Sequence, residues 1–253
     1  MDFVTSFRNS VLQYFNNYQK VHKKIANQYS GRCFILGNGP SLNEQDLSLL
    51  RNEHCFVTNR FVLHNNFEVV DPNFYCMADP EFLVKNERII LKKIKKKLTI
   101  NKEIQLYISN RYFLSYWFRK TFKDIDVNYI YFRPDKQVKK EKTLSVDLKR
   151  GVYYGNTIVI DFCIPLALIM GFDEIILLGC DLNYASGNSH FYGHQEGTEN
   201  KSKGISRNQW VKEVDRSYGI CNEYANTQGV KLLDATEGGK ISTLEKTDYL
   251  KLF

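Results

Sequence analysis

The stretch "EIILLGCD" (174–181) sets four apolar residues in a row, Ile175 to Leu178, before breaking at Gly179 into Cys180 and Asp181. A strand with one wet face alternates apolar and polar residues. A run that is apolar at every position is a strand covered on both faces, as in the middle of a parallel sheet. The same pattern recurs upstream in "RCFILG" (32–37), "CFVTN" (55–59), "NFYCMAD" (73–79) and "IQLYIS" (104–109). "VNYIYFRP" (127–134) and "VKLLDAT" (230–236) are further strands. Helical patterns lie between them. They are "LNEQDLSLLRN" (42–52), "PEFLVKNERIILKKIKKK" (80–97), "RYFLSYWFRKTF" (111–122), "TIVIDFCIPLALIMG" (157–171) and a last one at 206–229. Pro165 inside the fourth implies a kink or a later start, because proline lacks the N–H that a helix interior needs.

Alternating strands and helices predict an α/β fold: a doubly wound, mostly parallel Rossmann-like sheet, a GT-A-like single domain spanning residues 31–253. Residues 1–30 read as an amphipathic helix packed on that domain, with Phe3, Phe7, Val11, Tyr14, Phe15, Tyr18 and Val21 at three- and four-residue steps. The 253 residues suffice for a large core, and 43% apolar with 25% charged residues is ordinary for a globular chain. No apolar run reaches the roughly 18 residues of a membrane span. The polar, aromatic N-terminus is no secretory signal. Six scattered cysteines without Cys-x-x-Cys spacing read as buried free thiols in a reducing cytoplasm. The net charge of +7 is local, in "LKKIKKK" (91–97), "DKQVKKEK" (135–142) and "LKR" (148–150). Without interleaved aromatics these lysines do not read as a nucleic-acid groove. Solvated helix faces are the plain reading, beside attraction to an anionic inner-membrane face or steering of an anionic substrate.

In a doubly wound sheet ligands bind beyond the carboxyl ends of the strands. Strand one ends in Gly37-Asn38-Gly39-Pro40-Ser41, where glycines give a ligand clearance and a following helix N-terminus offers N–H groups to a phosphate. Strand two ends in Asn59 and Arg60, strand three in Asp79, and "EIILLG" in Cys180-Asp181. Four polar tips on one sheet converge on one crevice. Gly155-Asn156-Thr157 opens a second helix near it. The segment "NYASGNSHFYGHQEG" (183–197) brings Tyr184, His190, Tyr192 and His194, suited to acid–base chemistry over a nucleotide. Gly187 and Gly193 break the helix that a His-x-x-x-His metal pair would need, so no metal is expected.

"FILGNGPSL" (34–42), "CFVTNRF" (55–61), "GFDEIILLGCD" (171–181) and "SHFYGH" (189–194) together resemble the bacterial sialyltransferases of glycosyltransferase family 42. "GRCFILGNGPSLNEQDLSLLRNE" (31–53) and "LLDATEGGKISTLEK" (232–246) are similar to the MptE-like family of polysaccharide gene clusters, domain of unknown function 115. The resemblance implies a glycosyltransferase moving a sialic-acid-like sugar from a CMP-sugar to a glycan or glycolipid acceptor, with no cofactor. It makes His194 the general base and Tyr184 and Tyr192 partners of the leaving phosphate. Gly37, Asn38, Gly39, Pro40, Ser41, Asn59, Asp79, Gly155, Asn156, Thr157 and Asp181 become the nucleotide site, under a short lid. Asp79 stands where the family has Asn-Pro. The second family implies instead an ATP- and Mg²⁺-dependent pyrophosphokinase with Asp79, Asp181 and Glu196 around the phosphates. A nucleotide-sugar sensor without catalysis is a third reading. Expected partners are the donor and acceptor, with no nucleic acid; the reading admits a homo-oligomer and peripheral contact with the inner membrane.

Overall fold

The computed structural model describes residues 18–79, 82, 87–183, 190–193 and 206–253. Eight strands form one sheet: β1 (Arg32–Leu36), β2 (His54–Thr58), β3 (Phe74–Met77), β4 (Gln105–Ser109), β5 (Val127–Ile130), β8 (Glu174–Leu178), β9 (Lys231–Asp234) and β10 (Glu245–Lys246). Every pairing in it is parallel, in the order β10-β9-β8-β1-β2-β3-β4-β5. The apolar runs are buried at four of five positions in β1, β2, β4 and β8 and at all four in β3. The outer β5 alternates, as a strand covered on one side must.

From β1 the chain steps outward to β5, then returns and steps the other way from β8 to β10. Right-handed crossovers running in opposite directions put their helices on opposite faces. One face holds α1 (Tyr18–Ile25), α4 (Ile164–Met170) and α5 (Arg207–Thr227), packed on Cys33, Ile35, Phe56 and Leu177. The other holds α2 (Arg88–Ile100) and α3 (Tyr116–Thr121), packed on Phe34, Leu36, Val57 and Leu178. The sheet is therefore doubly wound, and its switch point lies between β1 and β8. All six cysteines are buried and free. Among the described residues no helix is long and apolar enough to cross a membrane.

Two expectations change, and the break expected at Pro165 is borne out. The helix expected over 42–52 is two 3-10 turns, Pro40–Asn43 and Leu47–Leu50. Asp46 Oδ1 accepts from Ser48 N at 3.0 Å and Ser48 Oγ at 2.6 Å, a local closure that competes with helical hydrogen bonding. The strand expected through Pro134 stops at Ile130. Beyond it β6 (Phe132–Gln137) pairs with β7 (Val152–Tyr154) in a separate two-stranded sheet. Asn110 Oδ1 accepts from Phe132 N at 3.2 Å, and Tyr131 O from Val152 N at 2.8 Å, which turns the chain out of the large sheet. Pro165 acts through a widened turn: Val159–Cys163 is a π-helix, closed by Ile164 N donating to Val159 O, and α4 restarts with the proline in its first turn. Of the N-terminal helix, Tyr18 and Ile25 are in the core and residues 1–17 lie outside the described residues.

Candidate functional site

A cleft of about 180 Å³ opens above the switch point between β1 and β8. Its floor is the loop Gly37–Gly39 against the loop Gly179–Asn183. Gly37 N donates to Leu178 O and Gly39 N to Gly179 O, both at 2.8 Å, so the two loops stay laced together past the strand ends. This closeness is what the glycines serve. A Cβ on Gly37 would lie 2.3 Å from Gly179 O, and one on Gly39 1.7 Å from Asp181 Oδ2. The clearance expected for a ligand is taken up by the neighbouring loop.

Asp181 reaches across to Ser41, accepting from its N at 3.1 Å and its Oγ at 2.8 Å. Burial pushes the Asp181 carboxyl above its usual range against the opposing pull of those two bonds. Asp181 lines the cleft; Pro40 and Ser41 do not. No α-helix starts here, so the helix terminus expected after β1 is absent. The one that reaches the cleft begins after Thr157. The helical run 158–170 points its first residues, Ile158 and Val159, into the cleft beside Asn156 and Thr157. Thr157 Oγ1 accepts from Ile160 N at 3.3 Å. Gly155 stands behind: a Cβ would lie 2.1 Å from Ile160 Cγ2, and Gly155 N donates to the buried Asp161 Oδ1 at 2.5 Å. Burial holds the Asp161 carboxyl well above its ordinary range.

Asn38 sits at the centre. Its Nδ2 donates to Thr58 O at 3.3 Å and Thr58 Oγ1 at 3.2 Å, which fixes the amide's orientation. Its Oδ1 is buried and has no partner among the described residues. A buried acceptor left unmade is costly, and in a cleft it is an invitation to a ligand N–H or O–H. Asn59 adjoins it, but its Oδ1 already accepts from Ala78 N at 3.2 Å and Asp79 N at 3.4 Å. Asn59, Asn156 and Leu182 line the cleft with φ of 44°, 80° and 51°. Asparagine tolerates this left-handed region; leucine is strained there, and such strain clusters at functional sites.

Asp79 does not line the cleft. It pairs with Arg60 at 2.8 Å, and Arg60 also binds Glu87 at 2.9 Å, its side chain only 3% exposed. The hydrogen bonds to these two carboxylates hold the Arg60 guanidinium above its usual pKa against its burial. Of the segment expected to close the site, His190–Gly193 is described. Phe191 N donates to Asn38 O at 2.9 Å and its ring packs on His64, which seats the segment on the β1 loop. His190 lines the cleft and stacks on Tyr192, whose ring lies 5.9 Å from the Arg60 guanidinium. Tyr184, His194 and Glu196 lie outside the described residues. Among the described residues no three His, Cys, Asp or Glu side chains gather as a metal site.

The site thus brings together Gly37, Asn38, Gly39, Asn59, Asn156, Thr157 and Asp181. Sequence reasoning missed Thr58, Trp210 and Tyr218 as cleft walls. The two aromatics lie eight residues apart on α5, in a stripe with Val214 that reads as core and is core. Nothing in their spacing marks the end of the stripe that reaches the strand tips.

A family model described as 6-hydroxymethylpterin diphosphokinase MptE-like matches residues 9–187, and the chain belongs to this MptE-like family. No curated protein matches the chain significantly. Solved structures similar to it include the following two. One is the sialyltransferase CstII from Campylobacter jejuni in complex with a substrate analogue, cytidine-5'-monophosphate, with 18% identity, TM-score 0.47, and 85% of this chain and 84% of that chain covered. The other is a point mutant of the alpha-2,3/8-sialyltransferase CstII, at 18% identity, TM-score 0.44 and 85% of each chain.

Proposed function

We propose that this member of the MptE-like family is an inverting, metal-independent glycosyltransferase that moves a sialic-acid-like sugar from a CMP-sugar to a hydroxyl of a glycan or glycolipid. The observation that carries the reading is the Asn38 amide: a fixed, buried, unpartnered acceptor at the switch-point cleft. An acceptor held that way selects a neutral donor group, such as a base amine or a ribose hydroxyl. The described wall around it holds asparagine, threonine, aliphatic and aromatic side chains with His190 and a single carboxylate, Asp181, and no lysine or arginine. Such a wall suits a nucleoside and one ester phosphate better than a triphosphate.

In this reading Asn38 and Asn59 hold base and ribose, and the positive end of the helix that starts after Thr157 faces the phosphate as it gains charge on leaving. Tyr184 and Tyr192 share that charge. His194 takes the proton from the acceptor hydroxyl as it attacks the anomeric carbon. A base so placed contributes about 10²–10⁴-fold. His190, stacked on Tyr192, keeps that phenol in place.

The family's description favours a second reading, diphosphate transfer from ATP with Mg²⁺. It calls for free carboxylates near the phosphates. Asp79 is taken by Arg60 and Asp181 by Ser41, which weighs against it. Calorimetry with CMP and with ATP, each with and without Mg²⁺, separates the two. Binding of CMP without metal is expected, and binding of ATP only with Mg²⁺ overturns the glycosyltransferase reading. With a CMP-sugar donor, His194→Ala is expected to lower transfer at least a hundredfold while CMP affinity stays within about threefold.

A further inference from the structure

We infer that the surface formed by α3 and the start of α2 docks the protein on an anionic lipid bilayer, with the cleft edge turned toward the lipid. Ile89, Leu114, Tyr116 and Trp117 are exposed by 68%, 53%, 61% and 47%. They are not scattered. The Trp117 and Tyr116 rings touch edge to face at 5.6 Å, and Arg88 lies 3.8 Å over the indole. Lys120 sits 5.8 Å from Trp117 and 5.9 Å from Tyr116. Tryptophan and tyrosine with an apolar body, a polar tip and flanking Lys or Arg are the side chains that settle at a membrane–water interface.

The charge matches an anionic partner. Residues 87–125 hold eleven Lys and Arg against three Asp and Glu. That excess of eight exceeds the net +7 of the whole chain, so the rest of the protein is close to neutral. Lys92, Lys93, Lys96, Arg119 and Lys120 are exposed. Of the acids in this stretch Glu87 is committed to Arg60 and Asp124 faces Lys95 at 3.6 Å. A basic, aromatic patch of this kind gains from both apolar contact and the negative surface potential of the leaflet.

Position adds the second part. Glu87, next to Arg88, binds Arg60 beyond the tip of β2, and Arg60 lies under Tyr192 of the cleft segment. Tyr112, just before Leu114, donates to Asp79 O beyond the tip of β3. The patch and the cleft therefore share the carboxyl edge of the sheet. Docking does not depend on the donor assigned above; if that donor is right, the orientation brings the cleft to lipid-linked acceptors.

The test is sedimentation of the full chain with phosphatidylglycerol–phosphatidylcholine vesicles and with pure phosphatidylcholine, at about 0.05 M and 0.5 M salt. The chain has two tryptophans, and Trp210 is buried, so a blue shift on adding vesicles to a Trp210→Phe variant reports on Trp117. Expected is binding to the anionic vesicles that falls at least about tenfold at the higher salt, with the blue shift. Tyr116→Ala with Trp117→Ala is expected to weaken it about tenfold, and Lys120→Glu a few-fold, with circular dichroism unchanged. Equal pelleting of the double variant, no blue shift, or equal binding to neutral vesicles overturns the inference. So does self-association that the double variant abolishes, which gives the patch to a second copy.

Discussion

Asp79 and Asp181 occupy the same kind of place, the first acid beyond a buried parallel strand, and they do different work. Asp79 follows β3, in the middle of a run of strands that all step the same way, and its carboxylate closes onto Arg60 from the neighbouring tip. Asp181 follows β8, at the switch point, and faces a cleft while it holds Ser41. Where neighbouring crossovers lie on one face, strand tips pack against each other and side chains pair within the protein. Where crossovers diverge to opposite faces, the tips leave a crevice. Residue type at a strand end is a weak indicator of a site; residue type at the switch point is a stronger one.

The comparison breaks most easily at Arg60. Arg60→Ala leaves Asp79 and Glu87 without their cation in a largely buried place, and loss of one partner of such a pair costs about 3–5 kcal/mol. Urea unfolding is expected to show that loss, with CMP affinity of the folded protein within about threefold. A variant of unchanged stability that no longer binds CMP would put Arg60 and Asp79 in the site. On the other side, Gly39→Ala drives a methyl into Asp181 Oδ2 and Gly179 O, so it acts on the fold and the cleft together. We expect about 1–3 kcal/mol of lost stability from overpacking and a parallel loss of CMP binding. Thermal melts and calorimetry on one preparation test whether the two losses go together.

Asn38→Ala sharpens the contrast, because it removes an acceptor that has no partner among the described residues. A tenfold loss of CMP affinity is expected, about 1.4 kcal/mol, with a stability loss of about 1–2 kcal/mol from the two bonds to Thr58. A large stability loss with intact binding would mean that the amide serves only to tie the β1 loop to Thr58.

How much of this the chain discloses in advance follows from the same physics. The sheet was legible because a strand buried on both faces must be apolar throughout, as Ile175–Leu178 is. The 3-10 turns after β1 were not, since Leu42, Leu47 and Leu50 fit a helical stripe and only the closure of Asp46 on Ser48 disfavours it. The β6–β7 pair was hidden because "VNYIYFRP" stays strand-like across Tyr131, and the turn is made by Asn110, remote in sequence. At the site, Asn38 was legible as a polar strand tip and Asn156 as the opening of a helix. Trp210 and Tyr218 were not, because an aromatic in a core stripe carries no mark of the cleft it also walls. The glycines were noticed for a sound reason, and the close approach they permit includes one within the protein, to Gly179 and Asp181.

The smallest effect concerns Asp161, buried behind Gly155 on the cleft's far wall. Burial raises its carboxyl well above the ordinary value of about 4, with Gly155 N and the field of Arg111 opposing. The folded state therefore holds this proton over a pH range in which the unfolded chain has lost it. Stability from this group is complete below about pH 4 and declines as pH rises. Asp161→Asn keeps an oxygen for the Gly155 N–H and removes the titration. Its melting temperature should match the wild type near pH 4 and exceed it increasingly toward pH 8. Asp181 is shifted in the same direction, so the slope should shrink without vanishing. A variant whose melting curve tracks the wild type at every pH would mean that Asp161 is ionised in the fold, with a charge partner that the cleft itself would have to supply.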